Sequence, residues 1–124
     1  MDFIDTNYLI RFFTNDRPPQ ASVAKRLIKQ SKEIFIPTIV VAETVFILEN
    51  HYKTKKDMVC NKLLSLIKQP NIKTQSFIQM AIQVYETENI SFYDSLILCE
   101  TIEKNSQLKT FDKKLSKIYL KYSS

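Results

Sequence analysis

Apolar positions recur three and four residues apart along most of this chain, and each such run predicts a helix. After "DFIDTN", the residues Tyr8, Leu9, Phe12 and Phe13 predict a short helical turn. In "NDRPPQASVAKRLIKQSK", two prolines suit a helix entrance, and Ala21, Val23, Ala24, Leu27 and Ile28 follow at helical spacing. "TIVVAETVFILENHYK" reads as a helix capped by Thr38 and ending near Asn50. "KKDMVCNKLLSLIKQP" runs as another through Met58, Val59, Leu63, Leu66 and Ile67, stopped before Pro70. "SFIQMAIQVYETEN" supplies one more, and the last spans about Phe92 to Lys104 with Asn105 at its left-handed end.

Between the helices lie short extended stretches. Phe3 and Ile4 form a first strand ending at Asp5, "EIFIP" a second stopped by Pro37, and "NIKTQ" a weak third. "QLKTF" is the last, delivering Asp112 ahead of a basic tail that ends in "KIYLKYSS". Strands alternating with helices of about 12 residues predict a mostly parallel sheet covered by helices. The architecture expected is an α/β fold, a three-layer α/β/α sandwich. No repeat, low-complexity tract or linker interrupts it, so residues 1–124 read as a single domain.

Composition narrows the class. Hydrophobic residues make up 44% and charged residues 25%, the balance of a globular chain and not of a disordered one. Apolar runs reach only about four residues, against the roughly 20 needed to span a bilayer, so no membrane segment is expected. "MDFIDTN" carries an acid where a secretory signal needs basic residues and a long apolar stretch, and the expected location is the cytoplasm. Cys60 and Cys99 fall at apolar helix positions with no C-x-x-C pair, and read as reduced core residues. His51, the single histidine, follows a helix end.

Glycine is absent, although average usage would give about nine. Asn15, Asn50, Asn71, Asn89 and Asn105 are the natural substitutes at turns and caps. Without glycine, phosphate cradles of the P-loop or dinucleotide type are excluded. The net charge is +5, with lysines clustered at positions 53, 55 and 56 and at 109, 113, 114, 117 and 121. Such clusters are either solvated faces or a surface for a polyanion; charge alone does not choose between them.

Four acids stand out by position. Asp5 ends the first strand, Asp112 ends the last, Asp94 begins a helix, and Glu43 lies in the second turn of the helix after "EIFIP". In open parallel sheets, ligands gather beyond the carboxyl ends of the strands, where all four can reach one crevice. Glu43 has Ile39, Val40, Phe46 and Ile47 as its helical neighbours, and Asp94 has Ile97 and Leu98 above it, so both are expected on inward-packing faces. An unpaired buried carboxylate costs several kcal/mol, and a shared cation is one way to hold it. An all-oxygen set without histidine suits Mg²⁺ or Mn²⁺. Setting the four acids aside leaves a balance of +9, which favours a nucleic-acid substrate. For Asp94 there is a plainer reading as well. Ser91 and Asp94 have capping-box spacing, so on its own "NISFYDSLILCE" is an ordinary helix start.

Taken together, "FIDTNYLIRFF", "PTIVVAETVFIL", "YETENISFYDSLILCETIEKN" and "LKTFDKKL" resemble the PIN-domain ribonucleases, most closely the VapC-type toxins of bacterial toxin–antitoxin pairs. The match runs in order from Asp2 to Leu115. The resemblance implies a metal-dependent endoribonuclease that cleaves single-stranded or loop RNA of the tRNA or rRNA class. It implies that Asp5 and Asp94 are the principal ligands of one or two Mg²⁺ or Mn²⁺ ions, with Glu43 and Asp112 completing the cluster. Thr6 and Thr110 are implied as supporting hydroxyls. It further implies a homodimer and a VapB-type antitoxin, for which Tyr8, Phe12 and Phe13 offer aromatic surface. Two features depart from or qualify the pattern. Asn105 stands where such toxins often carry glycine, and Asp5 arrives after a very short lead, which argues against a module appended to a larger protein. The competing readings are a non-catalytic RNA-binding protein of the same fold and a housekeeping or DNA-flap nuclease.

Overall fold

The computed structural model describes residues 1–124. In chain order the elements are β1 (Asp2–Phe3), α1 (Thr6–Phe13), α2 (Pro18–Gln30), β2 (Ile34–Phe35), α3 (Thr38–Asn50), α4 (Lys56–Ile67) and β3 (Ile72–Lys73), followed by α5 (Ile78–Thr87), α6 (Phe92–Glu103) and α7 (Lys113–Ser123). Two compact units result, Met1–Gln75 and Ser76–Ser124. No helix is long and apolar enough to cross a membrane.

The first unit holds the whole sheet. Its strands are parallel in the order β1-β2-β3, with Asp2 opposite Ile34 and Ile34 opposite Ile72. Parallel neighbours need long crossovers, which the helix pairs α1–α2 and α3–α4 supply. Both crossovers move the same way across the sheet, so the usual right hand puts their helices on one face. Consistent with this, α1 packs against both α2 and α3. Ala21 and Ala24, both buried on α2, present little bulk at that contact. Asn71, just before β3, donates its side-chain amide to the carbonyls of Ile28 (2.8 Å) and Ser31 (3.0 Å) and so satisfies groups orphaned at the end of α2.

The second unit is helical. The α5–α6 contact is fixed by Ser95, whose buried hydroxyl donates to the carbonyl of Ala81 at 2.6 Å, and by an edge-to-face pair of Tyr85 and Phe92. Glu88, the C-cap of α5, accepts from Lys121 Nζ (2.8 Å) and from the Tyr122 hydroxyl (2.6 Å), which ties down the end of α7. The Lys121 bond, then the Tyr122 bond, holds the Glu88 carboxyl below its usual range. The same contact raises Tyr122 to about 12.

The α/β class and the parallel sheet are as the pattern predicts, and several details differ. β1 begins one residue earlier than expected, at Asp2. α3 takes Pro37 as its N-cap, with Thr38 inside the helix. "QLKTF" pairs with no strand, and the basic tail after it is helical. Of the asparagines, Asn105 alone takes left-handed backbone (φ 51°); the other such residue is Lys53 (φ 56°). Cys60 and Cys99 are both buried thiols, as expected of core residues, and burial raises the Cys99 thiol to about 11.

Candidate active site

In the first unit, Asp5 and Glu43 are linked through Thr6. Asp5 is the N-cap of α1, its Oδ1 accepting from the Tyr8 backbone N–H at 3.0 Å. The next residue, Thr6, donates its hydroxyl to Glu43 Oε1 at 2.7 Å. A β-strand thus delivers one acid to a helix start, and the first hydroxyl of that helix orients the other.

Asp5 also lines one end of a groove of about 650 Å³ between α1 and α2, with Asn7, Tyr8, Arg11, Arg17 and Gln20 in its walls. Arg11 is committed, donating to Gln20 Oε1 at 2.8 Å and pairing with Asp16 at 3.4 Å. The Tyr52 hydroxyl, then Thr14 and Arg11, hold the Asp16 carboxyl below its usual range. Arg17 makes no ion pair and is the groove's uncommitted cation.

In the second unit, Asp94 and Asp112 each sit at a helix start. Ser91 is the N-cap of α6, and its hydroxyl accepts from the Asp94 N–H at 3.1 Å. The reciprocal bond of a capping box, from the Ser91 N–H to the Asp94 carboxylate, is not made, so both oxygens of that carboxylate remain available. Asp112 is the N-cap of α7, with Oδ1 accepting from Leu115 N–H at 3.0 Å. Thr110 accepts from the Asp112 N–H at 3.0 Å, which fixes the backbone of that acid and not its carboxylate.

Burial differs from the expectation at both helical acids. Glu43 is exposed and Asp94 half-buried, beside an Ile39 that is 62% exposed and an Ile97 that is 50% exposed. Neither side chain is packed fully inward. What remains is their lack of partners, since no lysine or arginine makes an ion pair with Asp5, Glu43, Asp94 or Asp112.

All four offer hard oxygen, and each keeps at least one carboxylate oxygen free of hydrogen bonds. No three Asp, Glu, His or Cys side chains stand together as a ready-made metal site. The donor chemistry nonetheless fits Mg²⁺ or Mn²⁺, because Mg²⁺ keeps several waters and is commonly bound by one or two carboxylates plus substrate phosphate. His51, at the end of α3, is exposed and belongs to neither pair.

The family of the chain follows from comparison. The PIN-domain profile matches residues 3–121, spanning both units. This chain belongs to the PIN-domain family. A VapC ribonuclease of Aquifex aeolicus (strain VF5) is 24% identical to this PIN domain over 101 residues, covering 77% of the chain and 75% of the relative. The sequence motifs and the profile agree on the family, and the parallel sheet is that of the expected α/β class. One residue of this PIN domain carries no signal in the sequence pattern. Phe111, between Thr110 and Asp112, is fully exposed where the alternation of "QLKTF" suggested a strand residue.

Proposed function

We propose that this PIN domain is a Mg²⁺- or Mn²⁺-dependent endoribonuclease, the toxin of a VapBC-type pair, acting on RNA of the tRNA or rRNA class in the cytoplasm. The observation that carries the reading is a set of four unpaired carboxylates in a chain of net charge +5. Three of them stand at helix starts, where the macrodipole favours negative charge. Nothing in local structure requires Glu43 to be an acid, yet the hydroxyl of Thr6, the residue after Asp5, holds it in one orientation.

In this proposal residues 1–124 act as one domain, and Asp5 and Asp94 hold the ion, with Glu43 and Asp112 assisting. When bound, such an ion supplies Lewis acidity toward the scissile phosphate and makes an attacking water more acidic. The protein's own part is orientation. Asp5 and Asp112 are fixed by their capping bonds, Asp94 by the start of α6, and Glu43 by the Thr6 hydroxyl. Any of the four carboxylates that is not engaged by metal can accept a proton from the attacking water. Uncommitted cations such as Arg17 grip the phosphate backbone. A homodimer and a VapB-type antitoxin complete the reading, supported by the VapC ribonuclease among its relatives.

The test is expression in a growing bacterium, with RNA 5′ ends sequenced for the native chain and for Asp94→Asn. The proposal predicts growth arrest and site-specific new 5′ ends from the native chain alone, relieved when a small antitoxin gene from the adjacent reading frame is co-expressed. Identical 5′ ends from both forms would contradict it.

A further inference from the structure

Phe111 is 106% exposed, so no other side chain covers the ring. It lies immediately before Asp112 and lines a depression of about 330 Å³ together with Lys113, Lys117 and the exposed Leu120. Full exposure leaves a large apolar face in water and forgoes the stabilisation that burying a phenylalanine would bring. The lysines are equally ill-placed for stability alone. Lys113 begins α7, at the positive end of the helix dipole, and Lys117 repeats the same charge four residues on. Neither makes an ion pair, and Lys109 adds a further cation just ahead of Phe111.

An anion between the lysines and a flat apolar surface over the ring would resolve both features together. A nucleotide has both parts. Single-stranded nucleic acids are held in this way, with bases stacked on aromatic side chains and phosphates on nearby cations. We propose that Phe111 is the stacking platform for one base of a single-stranded RNA substrate, with Lys113 and Lys117 holding its phosphates. The inference rests on the ribonuclease reading and adds to it. Phe111 is a positioning residue that fixes the substrate strand beside Asp112, and stacking makes this contact tolerant of base identity.

The chain has no tryptophan, so Phe111→Trp installs a single fluorescent reporter at the platform. In an Asp94→Asn background, which leaves RNA uncut, a single-stranded RNA oligonucleotide should bind by anisotropy and quench that tryptophan with the same midpoint. Phe111→Ala should weaken binding about 5- to 150-fold, the range of one base stack. Lys113→Gln with Lys117→Gln should reduce the slope of log affinity against log salt by about 1.4. Binding by anisotropy without quenching, and unaffected by Phe111→Ala, overturns the platform while leaving the ribonuclease reading intact. No binding by anisotropy overturns both. If Phe111→Ala instead halves the mass in sedimentation and leaves RNA affinity unchanged, the ring packs on a second copy of the chain and the platform is wrong.

Discussion

At the residue scale, capping and chemistry can be separated because asparagine caps a helix as well as aspartate does but carries no charge. Asp5→Asn and Asp112→Asn should stay within about 0.5 kcal/mol of the native stability, since each keeps the acceptor for Tyr8 or Leu115 N–H. Asp5→Ala and Asp112→Ala lose the cap and should cost about 0.5–2 kcal/mol in urea titration. RNA cleavage should fall in all four. Thr44, next to Glu43, gives an independent check on the core of the first unit. Its hydroxyl is buried without a hydrogen-bond partner, so Thr44→Val should be neutral or stabilising by about 1 kcal/mol, read from the same titration. The positions of the acids were legible in the sequence because strand ends and helix starts carry strong local signals. Their burial was not. α3 and α6 are apolar on nearly every side, so neighbours three and four residues away give no direction, and Ile39, Phe46 and Ile97 turn out exposed.

At the element scale, α6 carries Asp94 and is held by α5, chiefly through the buried Ser95–Ala81 hydrogen bond. Ser95→Ala removes that bond while the Ala81 carbonyl keeps its place in the α5 ladder, and should cost about 0.5–1.5 kcal/mol. α7 is clamped by Glu88, whose carboxyl lies below its ordinary 4.5 because Lys121 and Tyr122 donate to it. A depressed folded-state value means the contribution is fully present above the unfolded value and is lost as pH falls through the folded one. The melting-temperature gap between the native chain and Glu88→Gln should therefore be open at pH 7 and close progressively below about pH 4.5. A gap that persists at pH 3 would show that the clamp acts through packing and not through charge. The sequence suggests a fourth strand because "QLKTF" alternates as a strand does. Alternation is local, whereas a strand needs a neighbour to pair with, and this stretch has none.

At the scale of the whole molecule, the PIN-domain profile runs across both units, and Asp5 and Glu43 lie in the first while Asp94 and Asp112 lie in the second. The order of short strands and longer helices made the α/β class readable, because βαβ crossovers leave a length signature that survives errors at individual boundaries. The basic balance was readable as well, but its use depends on where the cations lie, which for Lys113 and Lys117 is beside a bare aromatic ring. The central claim is that the four acids serve RNA hydrolysis with a divalent ion. Its most direct test is cleavage of a defined RNA by the purified chain, with Mg²⁺, with EDTA, and as Asp94→Asn with its folding verified by circular dichroism. The account predicts cleavage at defined phosphodiesters with Mg²⁺, none in EDTA, restoration by added Mg²⁺ or Mn²⁺, and a loss of at least about 100-fold in the folded variant, on the scale of a lost catalytic group. Equal cleavage by the native chain and Asp94→Asn, or full activity in EDTA, would contradict it.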